Sequence, residues 1–444
     1  MVRGQRLAWS LMRLTNLQAR VAAWLALWAP ILPLLVAEFI LWTGFGALLP
    51  VMPLYFTEHG VSIALLGVVI AAWPAARLVA EPLFGVLADR TARVPMMVAG
   101  LVVAASAVGA LAIWTAPVAF VLLRALSGLG TAMYDPAARG YLTDAAPEGR
   151  RGEVFGLYNA AQMGGILLGP AIGGLGTALM GGYEFVLVFA SISTFAAALA
   201  VAVRVRELGG QHRPAIPASA LAEFPGEFAP ELVETERGTV GAPGSSAASP
   251  APASLVNRFI LAAILVNVAG YFGGGLYETI WALFVTDRGG DVALVGATFA
   301  VFGLTTILVS PLGGRIVDRR GPFPFIVGGL LVMAATMFIY PWVTEPLLYV
   351  PLVAIEAVGF SFLGPATYAV IARGTPAGKS STAQGILGSA GTVGTITAAL
   401  GAGVLAAVDL SAPFFVGSAV LLVLLVVTLL VGGAAMRSMR PALP

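Results

Sequence analysis

The chain contains the sequence PLFGVLADR at residues 82–90 and the related sequence PLGGRIVDR at residues 311–319, with five identical positions. The same offset of 229 residues aligns further glycines and a proline without a gap. These matches are Gly67 with Gly296, Gly130 with Gly359, Pro136 with Pro365, Gly156 with Gly385, Gly165 with Gly394 and Gly174 with Gly403. Such a repeat indicates two halves of the same topology, related by a pseudo-two-fold axis.

The composition is that of a membrane protein. The 444 residues are 59% hydrophobic and 10% charged, whereas soluble domains carry about 25% charged residues. Cysteine is absent and the two histidines are His59 and His212, so thiol catalysis, disulfides and a Cys/His metal centre are excluded. We expect no metal and no cofactor. The basic residues are scattered between apolar runs, which argues against a nucleic-acid partner.

Twelve runs are long enough to cross a bilayer, which takes roughly 20 apolar residues as a helix. The sequence therefore predicts an all-α membrane protein with 12 transmembrane helices. The repeat arranges them as two six-helix bundles whose pseudo-two-fold axis runs along the membrane normal. The predicted spans are 31–57, 64–87, 94–114, 118–142, 154–179, 184–203, 259–286, 293–316, 322–343, 347–372, 382–407 and 411–435.

Lys and Arg predict the orientation, because short cytoplasmic loops hold the excess of them. They occupy the N-terminal segment and every second connection, while the opposite connections hold a single basic residue, Arg288. Both termini are therefore predicted to be cytoplasmic, in a multi-pass inner-membrane protein. The predicted organisation is an N-terminal extension (1–30), a first bundle (31–203), a Pro- and Ser-rich flexible cytoplasmic linker (204–258), a second bundle (259–436) and a cytoplasmic tail (437–444).

The loop at residues 85–93, GVLADRTAR, and its counterpart at 314–321, GRIVDRRG, are predicted gates. They resemble the pattern G-x-x-x-D-R-x-G-R of the major facilitator superfamily, although Ala92 replaces the second glycine. The resemblance extends over the chain apart from the N-terminal extension and the linker. In such a gate a carboxylate such as that of Asp89 meets a helix N-terminus in one conformation. The candidate gating residues are Gly85, Asp89, Arg90, Arg93, Asp144, Gly314, Asp318 and Arg319.

Span five carries GILLGPAIGG at residues 165–174, similar to the signature G-x-x-x-G-P-x-x-G-G of the superfamily's drug/proton antiporters. Its signature positions are Gly165, Gly169, Pro170, Gly173 and Gly174. The alternative interpretation is that these small residues only allow close packing between helices. Span four adds RALSGLGTA at 124–132, similar to the element R-x-x-x-G-x-G. In span one, Glu38 precedes Pro50 by about three turns, as in multidrug/proton antiporters, in which such an acid recognises cations and exchanges protons.

Ionisable residues within the spans are costly, so each requires a reason. They are Glu38, Arg77, Glu81, Arg124, Asp135, Arg139, Glu278 and Glu356. Two pairs have the i,i+4 spacing of structural ion pairs, Arg77 with Glu81 and Asp135 with Arg139. Arg124 and Asp135, three turns apart, are predicted to face the cavity.

Glu278 lies close in sequence to Tyr271, Tyr277 and Trp281, a cluster that could hold a lipophilic cation. The alternative for Tyr277 and Trp281 is an aromatic girdle at the membrane surface.

The resemblance implies a proton-coupled exporter of lipophilic, often cationic, drug-like compounds that works by alternating access, not an enzyme. Glu38 is the first candidate for exchanging a proton for the substrate, with Arg124 serving Glu356 or tuning Glu38. The expected partners are a small-molecule substrate, protons and the lipid bilayer, and the protein is expected to be a monomer. Export of a particular metabolite, sugar or lipid remains open. A membrane enzyme or receptor has little support, because the two histidines form no triad.

Overall fold

The computed structural model describes residues 28–146, 151–207, 254, 256–376 and 379–439. The regular structure in these ranges is helical. The helices are α1 (Leu32–Leu48), α2 (Met52–Glu58), α3 (Ile63–Arg90), α4 (Arg93–Ala110), α5 (Pro117–Ala145), α6 (Arg151–Met180), α7 (Glu184–Arg204), α8 (Arg258–Asp287), α9 (Val292–Arg320), α10 (Phe323–Ile339), α11 (Tyr349–Gly374), α12 (Ser380–Ala406) and α13 (Ala412–Arg437). Short 3-10 turns follow α10 and precede α11.

Within the described ranges, eleven helical segments are long and apolar enough to cross a membrane, and α1 with α2 makes a twelfth, bent by 47°. Pro50 lies in the break between α1 and α2. Proline lacks the backbone N–H that a continuing helix needs, so the helix is interrupted there. The predicted fold of 12 spans is confirmed, with boundaries within a few residues of those expected. The domain limits stay predictions: 1–27, 208–253 and 440–444, which hold most of the predicted extension, linker and tail, lie outside the described residues.

Helices α1 to α7 form one half and α8 to α13 the other, each around its own apolar core. The halves meet chiefly through two helix pairs, α3 with α12 and α6 with α9, and α8 adds smaller contacts with α2 and α3. Large apolar side chains such as Val79, Leu179 and Leu430 stay more than 70% exposed, as expected for surfaces that face lipid.

The two principal contacts between the halves are glycine crossings related by the 229-residue repeat. A Cβ on Gly67 would collide with the backbone of Ala399, and one on Gly403 would lie 2.7 Å from the amide nitrogen of Gly67. Equivalently, a Cβ on Gly174 would lie 3.0 Å from Cα of Gly296. Only glycine allows backbones to approach this closely. Both crossings lie at the end of the molecule remote from Arg90, Arg319 and Arg373.

The end that carries those arginines, here called the basic end, is open between the halves. Four glycines on the same four helices lie there, again in two repeat-related pairs. Among the described residues, a Cβ on any of them would have no atom of the other half within 4 Å. They are Gly85, Gly156, Gly314 and Gly385. The structure is therefore closed at the end opposite the basic end and open at the basic end.

Candidate functional site

A cavity of about 600 Å³ lies between the two halves. Its lower wall, toward the basic end, is charged and its upper wall is aromatic and acidic. The first half contributes Trp42, Phe45, Trp73, Arg77, Glu81, Asp135, Arg139, Gln162 and Pro170, among others. The second half contributes Tyr271, Tyr277, Glu278, Trp281, Phe302, Tyr340, Glu356 and Phe360, among others. This size is within the range of pockets for drug-sized ligands.

Glu356 lines the upper part of the cavity and is held by two tyrosines. The Tyr277 hydroxyl donates to Oε1 at 2.7 Å and the Tyr340 hydroxyl to Oε2 at 2.5 Å. The side chain is only 1% exposed, and within the described residues no cation lies within ion-pair distance of it. A buried carboxylate in this setting needs a positive partner.

The Trp281 ring packs edge-on against Tyr277 and Tyr340, with centroids 5.6 and 4.8 Å apart. Its Nε1 donates to Thr298 at 2.8 Å. Tyr277 and Trp281 thus lie within the second half beside the Glu356 carboxylate. The alternative of a girdle at the membrane surface is wrong for these two residues, because both are buried or half-buried around a polar group.

Arg124 forms an ion pair across the two halves. Its Nη2 lies 3.1 Å from Oε1 of Glu278 in α8, and the same nitrogen also donates to the Ile70 carbonyl at 3.4 Å. Arg124 is 2% exposed and its guanidinium lies 5.9 Å from the Trp73 ring. The prediction that Arg124 interacts with Glu356 or tunes Glu38 is wrong. Glu278 on α8 is the carboxylate that lies within ion-pair distance of Arg124.

Arg77 gathers two carboxylates on the lower wall. It pairs with Glu81 on its own helix, as its spacing predicted, and with Asp135 on α5. The predicted pair of Asp135 with Arg139 does not form within 4 Å, because Arg77 takes the Asp135 carboxylate from the neighbouring helix. Arg139 instead exposes its side chain to the cavity.

Glu38 lies behind the cavity wall. Its side chain is fully buried, and it accepts hydrogen bonds from Trp42 Nε1 and from the Tyr134 hydroxyl, both at 2.8 Å. Trp42 lines the cavity, whereas Glu38 does not. In this conformation Glu38 is buried and does not line the cavity, so direct contact between Glu38 and a substrate in the cavity is not formed.

The gate loop of the first half is held by Arg93, whose guanidinium lies 2.7 Å from Asp144 and 3.5 Å from Asp89. The carboxylate at the N-terminus of α4 is that of Glu207. Its oxygens accept the amides of Arg93 at 3.0 Å and Val94 at 2.8 Å. In the second copy, the described residues give Asp318 and Arg319 no ion pair within 4 Å.

Three glycines of the 165–174 signature pack α6 against α1. A Cβ on Gly165 or Gly169 would lie 2.6 Å from backbone atoms of α1, and one on Gly173 would collide with the Ala47 carbonyl. Gly174 instead forms the crossing with Gly296, and Pro170 lines the cavity. The signature thus combines close helix packing with the closure between the halves.

Two repeat-related helical halves around a central, partly charged cavity are the architecture of a membrane transport protein. The chain belongs to the Major Facilitator Superfamily, whose model matches residues 34–276 and 260–440.

Individual relatives are distant. An uncharacterized MFS-type transporter of Methanocaldococcus jannaschii is 23% identical over 84% of this chain and 89% of its own length. The staphyloferrin B transporter of Staphylococcus aureus is 26% identical over 64% of each chain. The quinolone resistance protein NorA of S. aureus is 28% identical, over 31% of this chain and 35% of its own.

Solved structures share the fold. A bacterial homologue of the human lysosomal transporter Spinster, in an inward-facing and occupied conformation, superposes with a TM-score of 0.66. It is 16% identical and covers 92% of this chain and 96% of its own. The nucleoside transporter NupG gives a TM-score of 0.67 at 13% identity, over 92% and 99% of the two chains.

Proposed function

We propose that the protein exports lipophilic, cationic, drug-like compounds in exchange for protons, by alternating access. The observation that carries this proposal is Glu356: a buried carboxylate facing a drug-sized cavity, held by two neutral hydroxyls and without a cation within ion-pair distance in the described residues. Either a proton or the positive group of a substrate supplies its missing partner. Because the two compete for one carboxylate, arrival of one releases the other.

Alternating access is supported by the glycine crossings. The crossings of Gly67 with Gly403 and of Gly174 with Gly296 close one end. The same four helices are separated between the halves at the basic end. Rocking the halves about the cavity exchanges the closed end for the open one. The pair of Arg124 and Glu278 joins the halves near this pivot and must separate, or change partners, as they rock.

The membrane orientation completes the proposal. With the basic loops in the cytoplasm, the open end faces inward and the cavity loads from the cytoplasm or inner leaflet. Both termini and the linker are then cytoplasmic, and the protein spans the inner membrane. The two halves of one chain form the whole transport pathway, so the protein functions as a monomer. Two relatives support a drug-like or organic cargo, since one is a quinolone resistance protein and the other a staphyloferrin B transporter.

Exchange of one proton for one monovalent cation moves no net charge. The pH difference alone then drives export, about tenfold in substrate gradient for each pH unit. This separates the proposal from uniport of a cation, which the membrane potential would drive.

The test uses inside-out vesicles with an acidic interior, a pH-sensitive dye, and the potential clamped at zero by valinomycin and equal K⁺. Adding tetraphenylphosphonium should raise the interior pH in vesicles with the wild-type protein and with Glu345→Gln, an exposed-loop control. Glu356→Gln should abolish the response. Proton movement with sugars or nucleosides but with no cation would replace this proposal by export of a metabolite.

A further inference from the structure

The lower wall of the cavity holds hydrogen-bond donors that the protein itself does not use. Arg139 is exposed and lines the cavity, and among the described residues its guanidinium makes no hydrogen bond and no ion pair within 4 Å, although Asp135 and Glu81 attract it electrostatically from a greater distance. A guanidinium carries five N–H donors in a planar fork. Such a group, lining a cavity with its N–H donors unused, is suited to a ligand oxygen.

Two further hydrogen-bond donors, the side chains of Gln162 and Tyr271, also line this cavity. Gln162 lines the cavity on α6, one turn after Tyr158, a side chain close enough to Arg139 to interact with it electrostatically. The Tyr271 hydroxyl approaches from α8 in the other half and interacts electrostatically with Arg139 and Arg77. Neither the Gln162 amide nor the Tyr271 hydroxyl has a hydrogen-bond partner among the described residues.

The surrounding charges explain why Arg139 forms no ion pair within 4 Å. Arg77 holds both carboxylates of this wall, those of Glu81 and Asp135. The two arginines, Arg77 and Arg139, balance the two carboxylates of Glu81 and Asp135, so this wall has no net charge. Recognition of a ligand here therefore depends on directed N–H donation rather than on a net positive field. Bidentate donation from arginine to a carboxylate is strong and geometrically selective.

We propose that Arg139, Gln162 and Tyr271 form a subsite for an anionic group of the cargo, such as a carboxylate. This inference rests on the proposed function, since it divides the same cavity into two poles. Tyr271 and Tyr277, whose hydroxyl donates to Glu356, both line the cavity and are six residues apart on α8, a rise of about 9 Å. The preferred cargo is thus an amphipathic zwitterion, with its cationic group near Glu356 and its anionic group near Arg139.

Aromatic rings lie between the poles and fit the apolar body of such a cargo. Phe302 and Phe360 have ring centroids 5.3 Å apart on the second half, and Phe45 and Trp73 have centroids 5.1 Å apart on the first. A flat aromatic body can contact rings of both halves and keep its two charged ends at the two poles.

The test compares two dyes that differ in one group. Tetramethylrhodamine carries a free carboxylate and is a zwitterion, whereas its methyl ester is a pure cation. Binding to the purified full-length protein is followed by fluorescence anisotropy. We expect Arg139→Gln to raise the Kd for the zwitterion at least tenfold and to change that for the ester less than twofold. Arg139→Lys should recover part of the loss, and Tyr271→Phe should weaken the zwitterion selectively.

Arg373→Gln is the matched control, because it removes an exposed arginine away from the cavity, and it should change neither Kd. Equal weakening of both dyes by Arg139→Gln, or no weakening of either, would overturn the anionic subsite. In the second case, retained ester binding that Glu356→Gln weakens leaves the proposed function standing. Failure of the wild type to bind either dye would overturn both proposals.

Discussion

Arg124 in the first half and Glu278 in the second form an ion pair across the centre of the molecule, with 3.1 Å between Nη2 and Oε1. The arginine is 2% exposed and its Nε has no hydrogen-bond partner in the described residues, so the pair depends on this one contact and on the Ile70 carbonyl. It connects the halves in the conformation that is open at the basic end.

Removing one member of this pair should destabilise the protein more than removing both. A buried pair that loses one partner leaves an uncompensated charge, at a cost of about 3–5 kcal/mol. We expect Arg124→Gln and Glu278→Gln each to lower the melting temperature in detergent by several degrees, and the double variant to lower it by less than either single variant. Strict additivity would show that the two side chains do not interact.

Alanine at the glycine crossings should open the closed end. A Cβ at Gly67 would meet the Ala399 backbone and one at Gly296 the Pro170 carbonyl at 2.5 Å, and neither backbone can yield without separating the helices. Because the chain has no cysteine, Phe299→Cys in the upper cavity wall provides a single reporter.

In intact cells, an impermeant maleimide should label this reporter several-fold faster when Gly67→Ala or Gly296→Ala is present. The control is Gly401→Ala on the same helix as Gly403, where an added Cβ meets no atom within 4 Å. Unchanged labelling in both crossing variants would contradict the assignment of the crossings as the closure.

Glu38 should not contribute to cation affinity. It lies behind Trp42 and outside the cavity, so Glu38→Gln should change the Kd for tetraphenylphosphonium less than twofold, measured by equilibrium dialysis. Glu356→Gln should raise the same Kd at least tenfold. A loss in Glu38→Gln as large as that in Glu356→Gln would restore Glu38 as the group that contacts the substrate.

Glu207 should stabilise the first turn of α4. Its two oxygens accept the amides of Arg93 and Val94, so Glu207→Ala leaves both without these partners, at about 1 kcal/mol. Hydrogen exchange of these two amides should accelerate about fivefold, while Glu345→Ala leaves them unchanged. Equal protection in Glu207→Ala would mean that other groups satisfy the N-terminus of this helix.

The fold was predictable because its signals are periodic and local. Apolar runs of membrane length depend on neighbouring residues alone, and the 229-residue repeat is found by aligning the chain with itself; the break after Leu48, within the predicted span 31–57, was not predicted. The glycines of the crossings are among the positions that the repeat matches, although the structure was needed to show that they form crossings and which helix each meets.

The partners of the charged side chains were not predictable in the same way. Arg124 and Glu278 are 154 positions apart, and Glu207 reaches an amide 114 positions away. Tyr340 was missed because it lies on a different segment from Glu356 and nothing in its surroundings in sequence marks it. The i,i+4 rule predicted the pair of Arg77 with Glu81 correctly but failed for Asp135, where a side chain from a neighbouring helix competed successfully.

The central claim is that a proton and the substrate cation compete for Glu356. The most direct measurement is proton release on binding of tetraphenylphosphonium to the purified protein, from titration calorimetry in two buffers of different ionisation enthalpy. At a pH where Glu356 is protonated before binding, the account predicts release of about one proton per cation by the wild type and by Glu345→Gln, and none by Glu356→Gln. Cation binding to the wild type without proton release at any pH between about 5 and 9 would contradict it.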